Sequence, residues 1–360
     1  MRAIIWVKRF TYQTKRQGEP MMRKRFGIQD VAREAGVSVT TTSYVLNKKE
    51  NTRISEETAA RVRAAAKKLG YVPSLSARTM VNRHSSLIGI IIPQIGPGRQ
   101  FMFSNPFYGD FLSAAEYTVR ESGYHLLISG TGANQDYATV IKTRQLDGVI
   151  LVGAYPSDYL QNMKQTGIPI ALVDSYIEDH YFHKIGINDR YSGYLGTHYL
   201  IDKGHRRIAL VCGDAPSGGV MEQRLLGYQD ALAEAGIPFR PEMVYAGNVD
   251  YSFGEAAAAQ IIARGNGETA AFVTSDITAL GVLNGMTLQG KRVPDDLSVV
   301  GFDDVSLARM CVPKLTTLHQ NIEEKGSLAA QVIIDAIAGG DKRDIILPVH
   351  IVERGSVRLL

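Results

Sequence analysis

A chain of 360 residues with 45% hydrophobic and 21% charged residues has the makeup of a globular protein too long for one ordinary domain, so two or three compact units are expected. No apolar run approaches the roughly 18 residues that span a bilayer. The two cysteines, Cys212 and Cys311, sit in apolar stretches without a C-x-x-C pair or a nearby histidine, which excludes a disulfide framework and a thiolate metal site.

The net charge of +4 conceals a split. Residues 1 to 83 hold 18 Lys/Arg against 6 Asp/Glu, net +12, leaving 22 against 30, net −8, for the remainder. One end therefore seeks a polyanion, nucleic acid or a membrane surface, while the rest stays acidic.

The opening "MRAIIWVKRF" offers only five consecutive apolar positions, Ala3 to Val7, too few for a secretory signal, so a cytoplasmic protein is expected. Residues 1 to 25 are basic, without periodicity, and are expected to be disordered in isolation. They read either as a nucleic-acid-binding arm or as an upstream extension whose natural start is Met21 or Met22.

A short helix follows, with Ile28, Val31, Ala32 and Ala35 forming one apolar stripe until Gly36 breaks it. Ser38 is suited to cap a second helix over residues 39 to 47, with Val45 and Leu46 turned inward. Two short helices joined by a Gly-containing turn fit a helix-turn-helix. A third helix starts at Ser55, repeats the spacing through Val62, Ala65, Ala66 and Leu69, and stops at Gly70. The outward positions of the second helix, Val39, Thr40, Ser43 and Tyr44, would then face the major groove, where base pairs differ by edge pattern. This all-α three-helix head spans residues 26 to 72.

Residues 73 to 86, "PSLSARTMVNRHSS", have the composition of a linker. From residue 87 short apolar runs alternate with helical stretches: "LIGIIIP", "HLLISG", "DGVILVG", "IPIALVD", then "RIALVCG", "MVYAG", "AAFVTSD" and "LSVVGFDD". That alternation means parallel sheets built from βαβ units, and eight strands suit two such sheets. The expected lobes are residues 87–189 with 318–343, and residues 190–317 with 344–360, joined by three crossings. Loops after strand ends line the cleft of such open sheets. In "SNPFYGD" Asn105, Phe107 and Tyr108 supply an amide and two ring faces, a mixture that suits sugars.

No enzyme motif stands in context. There is no G-x-S-x-G and no Walker A, and "GNGETA" precedes a strand instead of following one. "HYFH" has two histidines three apart without an evident third ligand and reads as surface; no metal and no cofactor are expected.

With "IQDVAREAGVSVTTTSYVLN" and then "RISEETAARVRAAAKKLGYVPSLSAR", the chain closely resembles the LacI/GalR family of bacterial transcription regulators, and the resemblance runs from residue 26 to 360. It implies a periplasmic-binding-protein-like effector-binding and dimerisation domain, a homodimer on a pseudo-palindromic double-stranded operator, and a repressor of sugar or related carbon-source genes, nucleoid-associated when bound. By the same resemblance Val39 and Thr40 occupy the main base-reading positions, while Thr41, Ser43 and Asn47 contact phosphates and neighbouring bases. Tyr44 departs from the pattern, since Arg is usual there. The hinge would coil on DNA, with Met80 as a minor-groove wedge and Arg78 and Arg83 near phosphates. The effector, a sugar or sugar phosphate, would meet Asp174, Arg224, Asp276, Asp303 and Gln320, with Tyr251 where the family often has a large aromatic. The ending "VERGSVRLL" carries no heptads, so a tetramerising coiled coil is not expected.

Overall fold

The computed structural model describes residues 26–47, 53–72, 84–94, 102–132, 136–155, 158–214 and 218–360. They fall into two compact units, divided at residue 83. The basic N-terminal extension and the linker residues Arg78, Met80 and Arg83 lie outside the described residues.

In the head, α1 (Ile28–Ala35) closes on Gly36 at φ +65°, whose N–H reaches the carbonyls of Ala32 and Arg33. That left-handed cap is cheap only for a residue without Cβ. Helix α2 (Val39–Leu46) starts on Ser38, whose Oγ accepts from the Thr41 N–H at 3.0 Å. Helix α3 (Glu56–Leu69) starts on Ser55 in the same way and closes on Gly70 at φ +61°. Val31, Ala35, Val62, Ala65 and Ala66 form the core, with Val45, Leu46 and Leu69 packed on its edge. Thr42 is fully buried in mid-helix; its hydroxyl donates to the Ser38 carbonyl at 3.0 Å, so no polar atom is stranded.

The body holds two six-stranded sheets. The first contains β1 (Leu87–Gln94), β2 (His125–Gly132), β3 (Gly148–Val152), β4 (Ile170–Val173), β5 (His183–Ile187) and β11 (Asp344–Leu347), in the order β11-β5-β4-β3-β1-β2, all parallel. The second contains β6 (Ile208–Gly213), β7 (Val244–Gly247), β8 (Ala270–Val273), β9 (Ser298–Asp303), β10 (Thr316–Gln320) and β12 (Val349–Val352), in the order β12-β10-β9-β8-β6-β7, with β12 alone antiparallel.

Helices cover both faces of each sheet, which is why the central strands read as unbroken apolar runs. On the first sheet α4 (Pro106–Glu121) and α11 (Ile322–Ile337) pack on one face, through Phe111, Ala115, Ala329 and Ile333. Helices α5 (Tyr137–Arg144) and α6 (Asp158–Lys164) pack on the other, through Ile141 and Met163. On the second sheet α7 (Asp189–Asp202) and α8 (Val220–Glu234) cover one face, and α9 (Tyr251–Arg264) and α10 (Asp276–Leu288) the other.

The lobe boundaries differ from the expected ones in two places. Strand β10 belongs to the second sheet, so the middle crossing falls after Gln320, not at Leu318. Strand β11 pairs with β5, which puts residues 344–347 on the first lobe instead of the second. Only Pro348 separates β11 from β12, so the third crossing takes a single residue. The body also begins earlier than residue 87: the backbone N–H groups of Ser85 and Ser86 donate to the two carboxylate oxygens of Asp147 at 2.9 and 2.8 Å.

Candidate functional site

In the head, the first turn of α2 faces outward. Val39 and Thr40 are exposed, Thr41, Ser43, Tyr44 and Asn47 are partly so, and Asn47 Nδ2 donates to the Ser43 carbonyl at 2.9 Å. Two cations of the head have local partners, Arg33 at Asp30 and Lys68 at Glu34.

In the body, strand ends of the two sheets face each other across a cleft with about 1300 Å³ of empty space, counting its open mouth. Asn105, Phe107, Tyr108 and Asp174 line it from the first lobe, and Arg224 and Asp303 from the second, with Gln320 at the middle crossing. Asn105 is also the cap of α4, its Oδ1 accepting from the Phe107 N–H at 3.0 Å, so its amide N–H₂ is the part left for a ligand. Phe107 meets Tyr108 edge to face at 5.4 Å.

Two polar chains run through the floor. In one, Tyr176 Oη donates to Asp189 Oδ2 at 2.9 Å, and Asp189 Oδ1 accepts from Arg224 Nε at 2.8 Å. Arg224 Nη1 continues to the Thr274 carbonyl at 2.7 Å, and the guanidinium lies 3.6 Å over the Phe302 ring. In the other, Lys325 Nζ donates to Asp174 Oδ1 at 2.7 Å and to Gln320 Oε1, whose Nε2 donates to Asp303 Oδ1 at 2.6 Å. Burial pushes Asp303 up to about 6, with Arg224 and Gln320 holding it partly down. The second chain thus brings the carboxylates of Asp174 and Asp303 to the cleft, acceptors of the kind that hydroxyl groups satisfy, whereas the first presents Arg224 and keeps Asp189 buried with both oxygens engaged.

Backbone geometry sets these positions. Asp174 and Asp303 sit at φ +50° and +114° just where their strands end; such conformations are costly for residues with a side chain and concentrate at binding sites. Helices α7 and α8 touch backbone to backbone: a Cβ on Gly193 would lie 2.2 Å from the Arg224 carbonyl oxygen, and one on Gly227 would lie 1.9 Å from that of Arg190. That close approach brings Asp189 and Arg224 within a hydrogen bond of each other.

Two expected cleft residues do not line it. Asp276 is fully buried behind β9: its Oδ1 accepts from Thr317 Oγ1 at 2.6 Å and its Oδ2 from the Val305 N–H at 2.9 Å, and it fills the space above Gly301, where a Cβ would lie 2.3 Å away. Burial beside Asp303 drives its carboxyl well above the ordinary range. Tyr251, the first residue of α9, is turned outward; Asn248, Val249 and Asp250 line the cleft in its place. Residues not singled out from sequence include Tyr155, whose ring covers Gly219 across the cleft, and the buried pair members Asp189 and Lys325. Among the described residues no helix is long and apolar enough to cross a membrane, and no group of three potential metal ligands occurs.

A three-helix reader and a two-lobed body with a polar cleft define an effector-binding, DNA-binding transcription regulator. Residues 27–74 match the model of the bacterial regulatory proteins of the lacI family, and residues 197–357 that of a periplasmic binding protein-like domain. The chain is 33% identical over 342 residues to the HTH-type transcriptional repressor PurR of Vibrio atlanticus, covering 92% of this chain and 99% of that one. It is 32% identical to the HTH-type transcriptional regulator DegA of Bacillus subtilis, over 91% and 97% of the two chains. Among solved structures it resembles a lac repressor dimer bound to operator and an anti-inducer (25% identity, TM-score 0.78, 93% and 100% covered) and a transcriptional regulator CelR–cellobiose complex (28%, 0.68, 92% and 100%). The chain belongs to the LacI family, whose members are DNA-binding regulators and not enzymes.

Proposed function

We propose that this regulator is a repressor of sugar or related carbon-source genes, that it binds a pseudo-palindromic operator as a homodimer, and that a sugar-like effector held in the cleft changes its operator affinity. The observation that carries the effector reading is the cleft itself: acceptors from Asp174 and Asp303, the guanidinium of Arg224, the amides of Asn105 and Gln320, and the rings of Phe107 and Tyr108 converge on one space. Hydroxyls pair with such acceptors and C–H faces with such rings. A CelR complex with cellobiose and a LacI-family regulator with bound ribose are among its structural neighbours. We assign base contacts to Val39 and Thr40, and backbone or flanking contacts to Thr41, Ser43, Tyr44 and Asn47.

The homodimer reading is supported by apolar side chains left open on the second lobe: Val312 is 94% exposed, Leu288 70% and Met310 69%. Exposed apolar side chains of this kind are available to a partner surface, and a two-fold partner matches a two-fold operator.

The test is a thermal-shift screen of the full chain against neutral sugars, including cellobiose, ribose and glucose, beside their phosphates, followed by operator gel shifts with each compound that stabilises. A stabilising sugar that changes operator affinity severalfold, and loses both effects in Asp303→Asn, is the expected result. A stabilising sugar with no influence on operator binding would refute effector control, and a monomer in sedimentation at micromolar concentration would refute the homodimer.

A further inference from the structure

From Ser38 to Asn47 the chain carries no charged side chain. Most hydrogen-bonding groups of α2 are already engaged within the head. The Thr41 hydroxyl pairs with Ser38 Oγ at 2.9 Å, the Thr42 hydroxyl is buried against the Ser38 carbonyl, and Ser43 Oγ lies 3.2 Å from Asn47 Nδ2. Two outward side chains remain on the first turn. Val39 holds its isopropyl group 43% exposed, and Thr40 is exposed with no hydrogen bond of its hydroxyl among the described residues. The positive charge of the N-terminal region is carried in sequence by residues other than 38–47, and in DNA complexes phosphate contacts position while base contacts specify.

The major groove offers one apolar feature, the 5-methyl group of thymine. Guanine is instead marked by two acceptors, O6 and N7, that select a forked or cationic donor. The outward turn of α2 has nothing of that kind to present.

We propose that this head reads its half-site through thymine methyl groups, with the Val39 isopropyl and the Thr40 methyl packing on one or two A·T pairs, and without bidentate guanine recognition from α2. The inference rests on the assignment of α2 as the base-contacting helix. It commits the face to one occupant, a methyl-bearing A·T step in duplex DNA, and makes Val39 and Thr40 the residues that set specificity.

The experiment is selection of binding sites from randomised duplex DNA with the full-length protein, followed by replacement of each selected dT by dU, which removes the methyl and leaves every hydrogen-bonding group in place. Loss of one buried methyl is worth about three- to fivefold in affinity, so one or two positions per half-site should show that loss. Val39→Ala should make dT and dU equivalent at its own position while leaving the other unchanged. No dU effect at any half-site position, or a larger loss from replacing dG by 7-deazaguanine than from any dU, would overturn the inference. If Val39→Ala and Thr40→Ala leave the whole selected profile unaltered, the assignment of α2 itself fails and the inference with it. A profile altered by these variants but indifferent to dU refutes only the methyl reading. The exposure of both side chains keeps the variants folded, and thermal unfolding of each checks this.

Discussion

Lys325 is the place to test whether the cleft floor is held together electrostatically. Its side chain is 0% exposed and its ammonium donates to Asp174 and Gln320. Lys325→Met keeps an unbranched apolar stem of nearly the same length and removes the charge and the donors. Breaking a buried pair ordinarily costs about 3–5 kcal/mol, because the remaining charge is left uncompensated. Asp174 is still 14% exposed and lines the cleft, so water reaches it; the cost should fall near about 3 kcal/mol. The converse change, Asp174→Asn, strands an ammonium with no access to solvent and should cost toward about 5 kcal/mol. The double variant removes both charges and should cost far less than the two singles together, with a coupling of at least about 2 kcal/mol. Urea unfolding followed by far-ultraviolet circular dichroism measures all four corners of the cycle. Strict additivity of the two single substitutions would refute the pair as a working interaction.

Asp303 supplies a prediction with a pH sign. Its folded value of about 6 lies above that of an exposed carboxylate, so the folded state takes up a proton that the unfolded chain does not. The group therefore destabilises above about pH 6, and the penalty fades as pH falls toward 4. Asp303→Asn should be more stable than the wild type at pH 8, by on the order of 3 kcal/mol, and equal to it near pH 4; a difference that does not vary with pH sinks this reading. Gly227→Ala forces a Cβ against the Arg190 carbonyl and should cost about 2–3 kcal/mol in chemical denaturation, with loss of effector response, whereas Gly109→Ala, where a Cβ meets open space, should be nearly neutral. Operator affinity should fall steeply with salt, a log–log slope of several units reporting phosphate contacts; a flat line would mean that the basic N-terminal region does not drive binding.

How much of this was legible in the sequence depends on what kind of physics placed each residue. The head was readable because its stops are local: Gly36 and Gly70 occur at left-handed caps, and Ser38 and Ser55 at N-caps, within one turn of the pattern they punctuate. The apolar strands were readable because burial on both faces leaves the central ones, β3, β4, β6, β8 and β9, as runs dominated by apolar residues, and the edge strands β2 and β7 keep enough of that pattern to show. Strand β5, "HKIGI", was hidden because His183 is buried with a ring nitrogen satisfied by the Arg343 N–H at 3.1 Å, so polarity did not mean exposure. Strands β11 and β12 look like one segment, yet they belong to different lobes, because strand partners and not composition decide the sheet. Asp276 misled for a different reason. It stands three residues past the end of β8, close to a strand end as cleft residues are, but the missing side chain of Gly301 opens an interior niche that it fills. Lys325 in "IEEKGS" reads as a solvated helix face, and only the tertiary meeting of α11 with Asp174 shows that it is buried.

The polar groups of the cleft come from both lobes, and this placement bears on how an effector could be felt elsewhere. Asp174 lies on the first lobe, Arg224 and Asp303 lie on the second, and Gln320 is the last strand residue before the middle crossing. A ligand shifts a conformational equilibrium only by the difference in its affinity for the two states. Groups on different lobes change their separation whenever the lobes tilt, whereas groups within one lobe move together and contribute equally to both states. A hydroxyl bridging Asp174 on the first lobe and Asp303 on the second therefore acts on the lobe angle directly, and contacts to Phe107 and Tyr108 alone would add affinity without adding response. Substitutions at the ring positions should accordingly weaken binding while leaving the ratio of operator affinities at saturating effector intact, whereas substitution of Asp303 should reduce that ratio itself.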